Sequence, residues 1–193
     1  TMGCAILAEL VLEGAITIDD DKRRKVHPVP AARVDDPILA ECVDLIREKD
    51  KAKPAGQWVQ KFANLKQLKE RAARQLVDKG VLAEDEGTVL KIFKRVIFPE
   101  RDGGPERDLR DRMEKAIFTY SSEIEARTII IVALANTTGM LKQVFDKKRL
   151  KEQKQRLEDL TSGQIAGKAT KDAVEAMQAV QAAIFVCTMV PII

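Results

Sequence analysis

The sequence predicts a mainly α-helical single domain from which one or two β-hairpins project. Three observations carry this. Apolar residues recur at helical spacing over most of the chain. The composition, 45% hydrophobic and 33% charged with both signs mixed, suits solvated helix surfaces over an apolar core, not a disordered chain. The length, 193 residues, is that of one compact domain.

The elements follow in order. Ile6, Leu7, Leu10 and Val11 form one face of a first helix, which Gly14 stops. Residues 15–19 (AITID) read as a strand, and 25–29 return as a second after a charged turn. Ile38 to Arg47 is amphipathic, with Ile38, Leu39, Cys42, Val43 and Ile46 turned inward. Residues 49–56 read as a polar linker and Trp58 to Phe62 as a short helix. A longer helix spans Leu65 to Lys79, with Leu65, Leu68, Ala72, Leu76 and Val77 as its apolar stripe and Gly80 as its C-terminal stop. Val81–Leu82, an EDEG turn and Val89 to Phe93 then read as a hairpin. Beyond a DGGP loop at 102–105, helices are expected over 108–120, 123–136, 142–160 and 171–189. One device occurs twice, since ELVLEGAITI (9–18) and QLVDKGVLAE (75–84) both read helix, glycine, strand.

Composition excludes several classes of function. Aromatic residues make up 4%, too few for a stacking platform, and the single histidine, His27, nearly excludes histidine metal sites. Cys4, Cys42 and Cys187 are far apart, lack CxxC spacing and sit among apolar residues. They are expected to be buried reduced thiols, which implies a reducing compartment such as the cytosol. The acidic triplet Asp19–Asp21 lacks the later ligand of a calcium loop and adjoins basic residues. No P-loop, dinucleotide fingerprint, nucleophile elbow or HExxH is present, so neither a catalytic residue, a metal nor a cofactor is expected. The longest apolar stretch, 173–193, is interrupted by Glu175, Gln178 and Gln181 and reads as a buried helix, not a membrane span. The first residues carry no secretory signal and open directly in a helix, so upstream sequence is expected to be absent.

The strongest local signal lies between Lys61 and Arg95, where nine basic residues face five acidic ones. The net of +4 exceeds the +3 of the whole chain. Lys66 and Lys69 stand three apart, which on one helix face lets two ammonium groups hold a phosphate as point charges. Arg74 follows as an assisting cation. The hairpin beyond mixes Ile92, Phe93, Val96, Ile97 and Phe98 with Lys91, Lys94 and Arg95. An apolar tip with a basic collar suits the interfacial layer of an anionic membrane. The plainer alternative makes the apolar residues core and the charges a solvated face. A helix followed by a two-stranded wing is also how a soluble winged-helix nucleic-acid module or helical interaction module reads. Against it, the helix offers few base-reading groups beyond Gln67 and Gln75.

ELVLEGAI (9–16), DDPILAE (35–41), QWV (57–59) and LKERAARQLVDKGVL (68–82) stand in the order and spacing of the Golgi phosphoprotein 3 family, which the chain resembles over nearly its whole length. The resemblance implies one domain, residues 1–193, built on a four-helix core, with the N-terminal part of the family domain missing. A hairpin at roughly Val81 to Phe98 would insert into the membrane through Ile92, Phe93, Ile97 and Phe98. A basic pocket beside it would bind phosphatidylinositol 4-phosphate or another anionic phospholipid. Two pocket arginines of eukaryotic members fall on Lys66 and Lys69, which keeps charge but loses the bidentate fork. A third falls on Gly3, and the family's pocket tryptophan lies upstream of this chain. Trp58 matches a tryptophan expected in the core. Yeast members are vacuolar-sorting proteins that keep glycosyltransferases in the Golgi, and the arginine-rich tail that engages the vesicle coat in eukaryotes is not in this sequence. The implied protein is a non-enzymatic peripheral membrane protein, cytoplasmic and, in a eukaryote, on the cytosolic Golgi face. Its partners would be lipid, glycosyltransferase tails, coat or further copies of itself, not nucleic acid.

Overall fold

The computed structural model describes residues 2–89, 93–119, 121 and 124–162. Among these the fold is mainly helical, with two small antiparallel sheets. The first helix, α1 (Met2–Leu12), leads into β1 (Ile16–Ile18) and β2 (Lys25–Pro28). A third strand, β3 (Lys53–Pro54), pairs with β2 where the sequence suggests only a linker. Between them lies α2 (Pro37–Arg47), begun by Asp36, whose side chain accepts from the Ile38 and Leu39 amides, with Pro37 in the first turn. All five residues expected inward on α2 are buried.

Helix α3 (Ala55–Ala63) is longer than expected and buries Trp58, Val59 and Phe62. Helix α4 (Leu68–Asp78) is shorter and starts three residues late. Of its expected apolar stripe only Leu68 is buried; Leu65 and Ala72 pack partly against the core, and Leu76 is 40% exposed. The charged region expected as one helix over 142–160 is three: α7 (Leu141–Val144), α8 (Lys147–Glu152) and α9 (Lys154–Ser162). Phe145 is extended there, and Asp146 accepts from the Lys148 and Arg149 amides to start a new helix. The helix expected over 171–189 lies outside the described residues.

Two apolar clusters share one helix. Most of the first comes from α1, α2, α3 and α6 (Ala126–Thr137), which is the four-helix arrangement the family resemblance implies, with β1, β2 and Leu68 completing it. The second joins α5 (Gly104–Phe118) and α7 to α9 to the opposite side of α6. Ile130 and Leu134 serve the first cluster and Ile129, Val132 and Ala135 the second.

Helices α1 and α3 approach so closely that a Cβ added at Gly3 would stand 2.1 Å from the Val59 carbonyl oxygen. Next along α1, Cys4 is disulfide-bonded, which corrects the expectation of three reduced thiols. Cys42 is a free buried thiol, and Cys187 lies outside the described residues.

The twice-used helix–glycine–strand device is one hydrogen-bond motif. At the end of α1 the Ala15 amide donates to Leu10 O (2.8 Å) and the Gly14 amide to Val11 O (2.9 Å). At the end of α4 the Val81 amide donates to Leu76 O (2.9 Å) and the Gly80 amide to Val77 O (2.8 Å). Both glycines have positive φ, 65° and 75°, so both helices close in Schellman caps that launch a strand.

A Cβ at Gly14 or Gly80 meets nothing within 4 Å, so alanine there costs only left-handed strain. Gly14→Ala and Gly80→Ala should each lower the unfolding free energy by about 1–2 kcal/mol. Gly3→Ala, which must push two helices apart, should cost about 3 kcal/mol. Urea midpoints at unchanged m-value measure all three, and equal losses at Gly3 and Gly14 would refute the packing argument.

Candidate functional site

Of the basic residues singled out by sequence, Lys66 and Lys69 stand at the α3–α4 junction and Arg71 and Arg74 along α4, while Lys91 lies outside the described residues. The chain leaves α3 at Asn64 and turns through Leu65 and Lys66, with the Leu68 amide donating to Leu65 O (3.2 Å). Gln67 then adopts a left-handed conformation (φ 52°, ψ 29°) and starts α4 without a side-chain cap. Lys66 therefore sits in the turn and not on the helix, so the shared helix face expected for Lys66 and Lys69 does not form. Both are exposed. Together they flank the positive end of α4, where backbone amides and the helix dipole favour an anion.

Beside that helix start lies a cleft of about 570 Å³, lined by Met2, Ala63, Leu65, Gln67, Lys69 and Glu70, with Leu68 among them. It receives Lys69 but neither Lys66 nor Arg74. Gly3 cannot contribute to it. The close approach of α1 to α3 means that any side chain at this position would have to push the two helices apart.

Arg74 belongs to a different arrangement. Its Nη2 donates to Glu70 Oε1 (3.0 Å) and lies 3.3 Å from Glu84 Oε1, just before the hairpin. Two carboxylates occupy its guanidinium, so it ties α4 to the hairpin base and does not complete a lysine cluster. One turn earlier, Arg71 Nη2 bonds Glu41 Oε2 at 2.5 Å and fastens α4 to α2. Neither tie was legible in the sequence, since the partners stand 10 and 30 residues away.

The hairpin falls close to the span that the family resemblance implies, Val81 to Phe98, and its strands are longer than the local residue pattern suggests. Strands β4 (Asp85–Val89) and β5 (Phe93–Ile97) pair from Asp85↔Ile97 to Val89↔Phe93. The EDEG stretch is therefore not the turn: Asp85, Glu86 and Gly87 open the first strand, and the three acids lie at the hairpin base. Below, Leu82 bridges Glu100, the Ala83 amide donates to Pro99 O (2.8 Å), and the Arg101 amide donates to Val81 O (2.9 Å). Of the expected anchors, Ile97 is 41% exposed and Phe98 is half-buried. Phe93 begins β5 opposite Val89, and Ile92 lies outside the described residues.

Other chemistry is sparse. Among the described residues no three His, Cys, Asp or Glu side chains are grouped to hold a metal. Nor is any described helix long and apolar enough to cross a membrane. His27 Nε2 lies 3.0 Å from Asp19 Oδ1 across the β1–β2 ladder. Burial, and after it the Glu41 carboxylate, push the Cys42 thiol up to about 12, so at neutral pH it is protonated and not nucleophilic.

A family model described as Golgi phosphoprotein 3 (GPP34) matches residues 1–177 of the chain. No curated protein matches it.

The Cys42 thiol should resist maleimide until the chain is unfolded. The folded thiol keeps its proton where the unfolded one, near the ordinary 9.0, has lost it. Its contribution to stability is therefore complete below that pH and drains away as pH rises towards about 12. Cys42→Ala should flatten the alkaline decline of the urea midpoint relative to the parent, and parallel curves would refute the shift.

Proposed function

Because the chain belongs to the Golgi phosphoprotein 3 family, a Golgi-associated family, we propose that it is a peripheral membrane protein that recognises an anionic phospholipid, phosphatidylinositol 4-phosphate foremost. The observation that carries the reading is the start of α4. There Lys69 lines a cleft of about 570 Å³ and Lys66 stands in the turn before the uncapped start of α4, while the exposed Ile97 lies at the base of the hairpin that follows the helix. In this reading Lys69 reaches the phosphate from the cleft wall and Lys66 from the turn that precedes α4, each as a point charge. The hairpin, with Ile92, Phe93, Ile97 and Phe98, lies in the interfacial layer, and Arg74 holds its base against α4.

In this reading the protein binds and does not catalyse. Its place is the cytosolic face of the Golgi where the cell has one. Glycosyltransferase tails and a vesicle coat are the protein partners that family membership suggests, and self-association is a further one.

Co-sedimentation with neutral, phosphatidylserine and phosphatidylinositol 4-phosphate vesicles, at matched charge and physiological salt, tests the reading. Each basic residue near an anionic surface is worth about 1 kcal/mol, so Lys66→Glu with Lys69→Glu should weaken pelleting at least about thirtyfold. Ile97→Asp should weaken it with the lysines intact. Pelleting unchanged in the double variant would sink the assignment. Tight duplex DNA binding with a steep salt dependence would favour the winged-helix alternative.

A further inference from the structure

Near the start of α6 stands Thr128, which is 2% exposed and is, among the described residues, the one buried residue with a hydroxyl, amide or charged side chain. At the other end of the helix the Thr137 and Thr138 hydroxyls return to carbonyls four residues back. Thr128 makes no such bond, nor any other side-chain bond to a described residue. It lines a small cleft between α5 and the start of α6, together with Arg112, Lys115, Ala116, Ile124 and Glu125. A buried hydroxyl left without a partner in the fold points to one supplied from outside it.

Three sources of positive potential meet at this cleft. Arg112 and Lys115 stand three apart on α5 and so share one face. Lys115 is exposed and without an ion pair among the described residues. The third source is the helix start itself. Glu125 occupies the N-cap position, yet its side chain accepts no backbone amide, and the first turn holds no acid. The first helical bond runs from the Ile129 amide to Glu125 O (3.1 Å), which leaves the amides of residues 126–128 without a helical acceptor. One carboxylate opposes these donors: Glu125 Oε2 lies 3.2 Å from Arg112 Nη1. Both side chains are about half exposed or more, so that bond is weak and exchangeable. The cleft measures about 140 Å³, far below the roughly 300 Å³ at which drug-sized ligands begin to fit, and suits one tetrahedral oxyanion.

We propose that this cleft binds a single phosphate group, either inorganic phosphate or the phosphomonoester of a small molecule. Lys115, the Thr128 hydroxyl and the first amides of α6 hold it, with Arg112 turning to it from Glu125. The site shares no residue with the lysine cleft at α4 and does not rest on lipid binding.

Isothermal titration and thermal unfolding of the full chain test it, in the Lys66→Glu/Lys69→Glu background so that the lysine cleft cannot take the anion. The probes are inorganic phosphate, phosphoserine and, at matched ionic strength, sodium chloride. Phosphate should bind and raise Tm where chloride does not. Binding of phosphoserine as well assigns the ligand as a monoester, and binding of phosphate alone assigns it as the free ion. Thr128→Val keeps the side-chain shape without the hydroxyl; it should weaken phosphate binding about fivefold and leave the Tm of the anion-free chain unchanged. Arg112→Gln/Lys115→Gln should weaken binding about tenfold, whereas Glu125→Gln, which frees Arg112, should tighten it. These three side chains are exposed, so their variants decide the matter should Thr128→Val disturb the fold. No phosphate-specific stabilisation, unchanged affinity in a folded Thr128→Val or in the Arg112/Lys115 variant, or weaker binding in Glu125→Gln would each overturn the proposal.

Discussion

Helix α6 is the constraint on which the rest of the described structure depends. Its sequence, ARTIIIVALANT, is apolar on nearly every side, and seven of its twelve residues are buried. Such a helix cannot lie on a surface; it must be covered all round. The chain meets that demand with two layers, α1 to α3 on one side and α5 with α7 to α9 on the other. Its polar residues sit at the ends. Arg127 reaches Glu9 of α1, while the Thr137 and Thr138 hydroxyls donate back to Ala133 O and Leu134 O. Because both clusters lean on one helix, neither can lose its packing without exposing a face of α6.

Helix α4 stands outside this scheme. It contributes one buried residue, Leu68, packs Ala72 partly against the core, and is otherwise held by ion pairs from Arg71 to α2 and from Arg74 to Glu84 beside the hairpin base. A helix attached mainly at its first turn keeps its remaining surface accessible. That is why the lysine cleft borders it. Lys66 and Lys69 gather at the positive end of α4, and Asp78 closes its negative end.

What was legible in the sequence followed local signals. Helix α2 was fully readable, because Asp-Pro starts it and its apolar spacing is uninterrupted. The burial of Trp58 and the glycine stops after α1 and α4 were equally plain. Failures came where a local signal was overridden or missing. EDEG has turn composition, yet long-range pairing draws Asp85 to Gly87 into a strand. The left-handed Gln67 carries no glycine or asparagine signature, so Lys66 was placed on a helix it precedes. Gly3 gave no hint that its missing side chain is what lets α1 meet α3. The cleft at the start of α6 was invisible for a simpler reason: Thr128 and the cations Arg112 and Lys115 come from different helices, and only folding brings them together.

The Arg74 tie also has a mechanical consequence. The β4–β5 ribbon is a cantilever, clamped where Leu82 faces Glu100 and braced by the contact between Arg74 and Glu84. One pair of side chains thus joins ribbon and helix: Arg74 holds the ribbon's base to α4, which Arg71 and Leu68 in turn fix to α2 and the first apolar cluster.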